Sequence, residues 1–289
     1  MIVALFANAQ KKKAFEIGEK ICSFFASHGV KVVAREEEAE SFNLPSLSSV
    51  NPEEINFLIS LGGDGTILRL VHQFPHLEAP IVGINLGHLG FMADIPLSDL
   101  YNSLEDLIKG DYTVENRVMM EGASPSGMRC FAVNEMVIHR SKNPSLIDLS
   151  IHVDGTYVNT FSADGVIIST PNGSTAYSLA AGGPILTPEL EAFVITPISP
   201  HTISNRPIVL LPKDKIEVQY LSPYEPVEIA YDGIARYSMA TNDIFSISRS
   251  KRTFKMVAFF RRDHFATLRK KLGWSGQVRY SLLNHRFDD

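Results

Sequence analysis

A chain of 289 residues that is 45% apolar and 20% charged fits two domains or one large one, and its composition calls for a sizeable core. The formal net charge of -5 argues against nucleic acid or an acidic membrane as the main partner, since both select a basic surface. Only two cysteines occur, Cys22 and Cys130, without CxxC spacing, which argues against a disulfide framework and fits a reducing compartment.

The first third alternates strand and helix. Ile2 to Phe6 is a short apolar strand, and Phe15, Gly18, Ile21, Cys22 and Phe25 recur at helical spacing before the stop at Gly29. Val30 to Val33 predicts a second strand, Glu36 to Asn51 an acidic and then Ser- and Pro-containing surface loop, and Ile55 to Leu61 a third strand. A helical pattern over Ile67 to Phe74 ends before Pro75, and the strand Ile81 to Asn85 follows Pro80. This alternation predicts a mostly parallel sheet, Rossmann-like in character, with ligands beyond the carboxyl ends of its strands. Leu97 to Ile108 predicts one more helix, ending near Gly110.

Beyond about residue 113 strand signals follow one another. Ile147, Leu149, Ile151 and Val153 alternate with polar residues up to the tight turn at Asp154-Gly155; Ile216, Val218 and Tyr220 alternate likewise, as do Val227, Ile229 and Tyr231. The expectation is an α/β domain over 1–112 and a β-rich sandwich domain over 113–259, with a helical segment within 260–289 that can pack back on the first domain. No apolar run reaches the ~20 residues of a membrane-spanning helix, and Lys11, Lys12 and Lys13 follow the first apolar run instead of preceding it, so no secretory signal is read and a cytoplasmic protein is expected.

Two glycine-containing turns carry the chemistry. In the first, Leu61-Gly62-Gly63-Asp64-Gly65-Thr66, a strand runs into a helix, the glycines permit close backbone approach, and the free N–H groups of the helix start form a seat for phosphate. Asp64 reads either as the cap of that helix or as the group that takes the proton of an attacking hydroxyl in phosphoryl transfer. No Walker A pattern is present, and the turn lacks the third glycine of a dinucleotide fingerprint. In the second, Asp164-Gly165 leads through Val166 to Ile168 into Pro171-Asn172-Gly173-Ser174-Thr175-Ala176-Tyr177 and then Gly182-Gly183-Pro184, which reads as a site-lining turn or as a capped loop.

Together with Asn85 to Phe91 and Asn134-Glu135, these two segments resemble the paired motifs of the NAD kinase family across residues 61 to 184. The glycine-aspartate-glycine turn is shared with lipid kinases and phosphofructokinases, whereas the run Asn172 to Tyr177 is particular to NAD kinases. The resemblance implies an α/β domain and a β-rich domain with NAD between them, a divalent cation, and a dimer or tetramer. It implies that Asp64 acts on the 2′-hydroxyl of the adenosine ribose and that Gly62, Gly63, Gly65 and Thr66 form the nucleotide turn. It further implies that Asn134 and Glu135 contact NAD, that Phe91 packs by the adenine, that Asp164 holds the nicotinamide end, and that Asn172, Thr175, Ala176 and Tyr177 line the site. Asp232, before Gly233, matches either a site residue or a plain Asp-Gly hairpin like that at Asp154.

Two positions depart from the family pattern: Met92, where many relatives have tyrosine, and Asn172, where threonine or serine is usual. The substrates implied are NAD and ATP or another phosphoryl donor. Magnesium is expected to be carried mainly by the donor phosphates, with no side-chain metal motif in the sequence. The rivals are a lipid or sugar kinase on the same turn and a binding module without turnover, which could lack Asp64. Lys11 to Lys13 read either as a group facing the donor phosphates or, more commonly for such a run, as a solvated helix start, Arg261, Arg262, Arg269, Lys270 and Lys271 as a solvated face or interface, and His88 as a loop-stabilising residue.

Overall fold

The computed structural model describes residues 1–7, 11–223 and 226–274. Its first part is built from β1 (Ile2–Ala7), α1 (Lys12–Ser27), β2 (Lys31–Ala34), α2 (Glu36–Phe42), β3 (Phe57–Gly62), α3 (Asp64–Gln73), β4 (Ile81–Asn85), the short β5 (Ile95–Pro96) and α4 (Leu100–Lys109). The strands pair in parallel in the order β2-β1-β3-β4, with β5 added beside β4. Each is short and almost wholly buried, as a parallel strand covered on both faces should be. α1 lays Ile17, Ile21 and Phe25 on one side of this sheet, where α4 adds Leu100, Leu104 and Leu107. α3 covers the other side with Ile67, Leu68, Leu70 and Val71.

The second part comprises β6 (Tyr112–Ala123), β7 (Arg129–Ala132), β8 (Glu135–His139), β9 (Ile147–Val153), β10 (Thr156–Ala163), β11 (Gly165–Ser169), the four-residue α5 (Tyr177–Ala180), β12 (Phe193–Ile198), β13 (Ile208–Leu210), β14 (Ile216–Tyr220), β15 (Val227–Tyr231), β16 (Ala235–Met239), β17 (Ile244–Phe259) and α6 (His264–Leu272). Six strands form an antiparallel sheet in the order β13-β12-β11-β8-β15-β16. The remaining strands extend the first sheet through β17, which pairs with β4 in parallel at Met256 and Ile81 and with β6 and β14 antiparallel. The two sheets pack face to face: Leu149, Ile151, Val218 and Phe245 of one meet Ile138, Val166, Ile168 and Ile229 of the other. The alternation along β9, β14 and β15 therefore marks inward-facing positions, and Asp154 and Gly155 both take positive φ in the hairpin between β9 and β10.

The expected loop over Glu36 to Asn51 is corrected. Residues 36–42 form α2, and 3-10 turns follow at Leu47–Ser49 and Pro52–Glu54. Three glutamates at the start of α2 complement its dipole, Glu38 pairs with Arg35, and Asn43 ends the helix in the left-handed conformation. Composition hid this helix because few of its residues are apolar. Phe42 is one of them, and it stacks on Phe15 of α1 at 5.1 Å. The last described helix, α6, lies against the first part of the chain. Arg262 pairs with Asp99, Arg261 with Asp99 and Asp106, and Lys271 reaches the carbonyl of Leu89. Residues 275–289, the remainder of the expected returning segment, lie outside the described residues.

Candidate active site

The glycine turn ends β3 and starts α3, at the carboxyl edge of the parallel strands. Gly63 is the N-cap of α3, without a side-chain cap, so Asp64 does not cap the helix. Its carboxylate instead spans to the loop after β4. Oδ2 accepts the N–H of Phe91 at 2.8 Å, and Oδ1 accepts those of Met92 at 2.9 Å and Ala93 at 2.8 Å. A Cβ at Gly90 would overlap Oδ1 of Asp64, so the loop needs glycine there to approach the carboxylate. Asn85 shapes the same loop from within, accepting the N–H of Gly87 at 2.7 Å and donating to the carbonyls of His88 and Ala93. A carboxylate has about four lone-pair sites, and three are occupied by backbone donors. Asp64 is thus rigidly aimed, with one acceptor position left for a hydroxyl.

A second carboxylate repeats this device. Asp232, in the positive-φ turn with Gly233 between β15 and β16, accepts the N–H groups of Val133 at 2.8 Å, Asn134 at 2.8 Å and Glu135 at 3.1 Å. His72 of α3 adds a fourth contact, Nε2 to Oδ2 at 2.7 Å. Asp232 therefore does more than turn a hairpin, because it shapes the segment that carries Asn134 and Glu135. Beside it, Asn134 accepts from the Asn172 amide at 2.6 Å, and the Asn172 carbonyl accepts from Arg117 at 2.7 Å. Both asparagines are buried. Asn172 thus makes its hydrogen bonds to the protein's own framework. Met92 fills the space next to it, with Sδ 3.3 Å from the Asn172 amide. Gly173 is required here, since a Cβ would overlap the carbonyl of Asn134.

Glu135 is buried, and Oε2 has no hydrogen-bond partner. Burial, reinforced by the neighbouring Asp232 carboxylate, pushes its carboxyl up to about 8 from 4.5. A raised carboxyl favours the protonated form on folding. The resulting stability penalty is absent below about 4.5, grows as pH rises, and is complete above about 8. Glu135→Gln removes the ionisation. The variant is therefore expected to gain in melting temperature over the parent between pH 5 and pH 8.5, and parallel melting curves across that range would show no divergence if Glu135 ionised normally.

The other sequence-selected residues divide. Phe91 is half-buried on the Asp64 loop, with Lys271 Nζ 4.6 Å from its ring centre. Thr175 and Ala176 are partly exposed, and Tyr177 stands 42% exposed at the start of α5. Asp164 is not brought to this cluster. Gly165 and Ser169 bound β11, Ser169 pairs with Glu135, and Gly165 pairs with His139. Asp164 therefore lies beyond the opposite end of the strand, roughly 17 Å along it at ~3.3 Å per residue, in an ion pair with Arg140 at 2.7 Å. His72 and Arg117 escape sequence reasoning because neither sits in a recognisable motif. The one available signal was that His72 falls eight residues after Asp64, on the same helical stripe.

On the outer side of the glycine turn a cavity of about 690 Å³ is lined by Gly62, Gly63, Thr66, Arg69, His88 and Lys11, among others. Lys11 is exposed and lines this cavity, while Lys13 donates to the carbonyl of Leu86 at 2.5 Å. Among the described residues no three His, Cys, Asp or Glu side chains converge as metal ligands.

Comparison with known proteins decides the family. The model of the ATP-NAD kinase N-terminal domain matches residues 3–112, and that of the C-terminal domain matches residues 133–259. The NAD kinase of Protochlamydia amoebophila is 60% identical over 278 residues, covering 96% of this chain and all of the relative. The chain belongs to the NAD kinase family. A second family member, the NAD kinase of Geotalea daltonii, is 36% identical over 94% of this chain and 98% of its own length. Among solved structures, yeast NADH kinase complexed with NADH superposes with a TM-score of 0.86 at 25% identity, covering 97% of this chain and 89% of that one. The NAD kinase of Archaeoglobus fulgidus in complex with ATP superposes with a TM-score of 0.73 at 26% identity, covering 94% and 99%. The α/β half followed by a β-sandwich is the NAD kinase fold, and no described helix is long and apolar enough to cross a membrane.

Proposed function

We infer that this NAD kinase transfers the terminal phosphoryl group of ATP to the 2′-hydroxyl of the adenosine ribose of NAD, with Asp64 receiving the hydroxyl proton. Phosphorylation of NAD follows from family membership. The assignment of Asp64 rests chiefly on one observation: its carboxylate is held by three backbone N–H groups with one acceptor position free. A group so held orients a hydroxyl without reorganising at the moment of reaction, which is most of what phosphoryl transfer asks of a protein. The cavity on the Gly62-Gly63 side, with Lys11, Arg69 and the start of α3, suits the donor phosphates. Asn134, Glu135, Phe91, Thr175, Ala176 and Tyr177 would take NAD on the other side. The role of Asp164 at the nicotinamide end is supported by the family resemblance alone, as are a homo-oligomer of two or four chains and a cytoplasmic location.

The donor set fits a divalent cation that rides on the nucleotide. Of the two carboxylates lining the cavity, Glu38 is committed to Arg35, while Lys11, Arg69, Thr66 and the glycine turn bring cationic, hydroxyl and backbone groups in among apolar residues such as Phe6, Leu61 and Leu70. Such a lining binds phosphate and leaves the cation to the phosphate oxygens. Magnesium supplies neutralisation of the charge on the transferring group. Chelation of divalent metal is expected to abolish turnover and its restoration with magnesium to recover it, measured as NADP formed. Undiminished turnover in excess chelator would overturn the metal requirement.

A further inference from the structure

Asp64, Leu68 and His72 recur at i, i+4 and i+8 and so lie on one stripe of α3. The stripe begins at the carboxylate that holds the loop 91–93 and ends, roughly 12 Å along the axis at 1.5 Å per residue, at the histidine that contacts Asp232. An ionised carboxylate only accepts, so Nε2 of His72 carries the proton and donates it. The side chains of this pair are 9% and 0% exposed. The imidazole is held flat on Phe131, at 4.4 Å and 5°, and the Arg252 guanidinium lies over the Phe131 ring at 4.9 Å. Phe131 lies two residues before Val133, the first of the residues whose N–H groups Asp232 gathers. The helix of the α/β part is thus tied at its far end to the turn of the β-rich part.

We propose that His72 is a positioning residue for NAD: by donating to Asp232 and stacking on Phe131, it fixes the 133–135 segment, and hence Asn134 and Glu135, at a set distance from Asp64. The proposal rests on the reading of Asn134 and Glu135 as NAD contacts. Its physical content is that Asp232 is shared by four donors, three of them backbone, and the fourth is the one that ties the segment to the catalytic helix. Loss of that donor leaves Asp232 in place but frees the segment to shift relative to α3. The groups that bind NAD then lose register, whereas Asp64 keeps its own loop.

The test compares H72Q with H72M. Both lose the ring stack and are close in size, but only glutamine retains an N–H donor near Nε2. With ATP saturating and NAD varied, H72M is expected to raise KM for NAD roughly tenfold, the loss of one hydrogen bond to a charged acceptor, with kcat changed less than about threefold. H72Q should recover most of that loss at a similar melting temperature. Equal KM values in the two variants, or an unchanged KM in H72M, would overturn the proposal. Should H72M not fold, H72F, which retains a ring on Phe131, replaces it in the comparison. Asn134→Ala run alongside separates the two layers. If it raises KM while H72M does not, His72 alone is dismissed. If neither moves KM, the reading of the pair as NAD contacts falls, and the proposal with it.

Discussion

Asp64→Asn is expected to lower kcat by roughly 10²–10⁴-fold, the usual worth of a positioned proton acceptor. The structure sharpens how this should look. An asparagine side chain brings one carbonyl oxygen and one NH₂ group to a place where three backbone N–H groups converge. If the carbonyl serves Met92 and Ala93, the NH₂ faces the N–H of Phe91, donor against donor. A stability loss of about 1–3 kcal/mol should accompany the catalytic loss, which a simple helix cap would not show, since Asn caps as well as Asp. Melting temperature, the NAD dissociation constant and kcat measured on one preparation separate the effects. The catalytic role is supported by a folded variant that binds NAD and turns over poorly. A folded variant with near-normal kcat would defeat it.

Asp232→Ala should be the most destabilising single change at the site. It strands three backbone N–H groups and His72 Nε2 in a buried place, for a cost of roughly 3–5 kcal/mol and a fall in melting temperature on the order of 10 °C. Asp154→Ala is the matched control. Asp154 also precedes a glycine at positive φ, with φ of 50° against 47° for Asp232, so the backbone cost of alanine is shared. Its side chain, however, is exposed and accepts from Lys215 N–H. Asp154→Ala should cost about 1 kcal/mol or less. Similar melting temperatures for the two variants would show that Asp232 is a hairpin residue only.

What could be read from the chain beforehand follows from how local each feature is. The parallel strands, the α3 helix and the alternating strands β9, β14 and β15 announced themselves because their periodicity lies within a dozen residues. The helix α2 did not, since its stability comes from Arg35, the dipole and the Phe15–Phe42 stack more than from an apolar stripe. The glycine turn showed that phosphate chemistry was plausible, but nothing local could show that Asp64 reaches 27 to 29 residues ahead to hold a loop. Asp232 was equally ambiguous, because the donors that distinguish it from Asp154 come from nearly a hundred residues earlier. Asn172 is a further case: the family motif implies that it lines the site, and its hydrogen bonds to Arg117 and Asn134 come from 55 and 38 residues away. Long-range hydrogen bonding to backbone leaves no periodic mark in sequence, and it is what builds this site.

On the proposed reading, the hydroxyl presented to Asp64 is the 2′-hydroxyl of the adenosine ribose. The most direct test is to incubate the full chain with NAD, ATP and magnesium and determine where the phosphate lands, by phosphorus NMR of the purified product and by its reduction with an NADP-specific dehydrogenase. The expected result is a single product, phosphorylated on the adenosine 2′-oxygen and accepted by that dehydrogenase. A phosphate on any other ribose oxygen, or no product from a folded protein that binds both substrates, would contradict it.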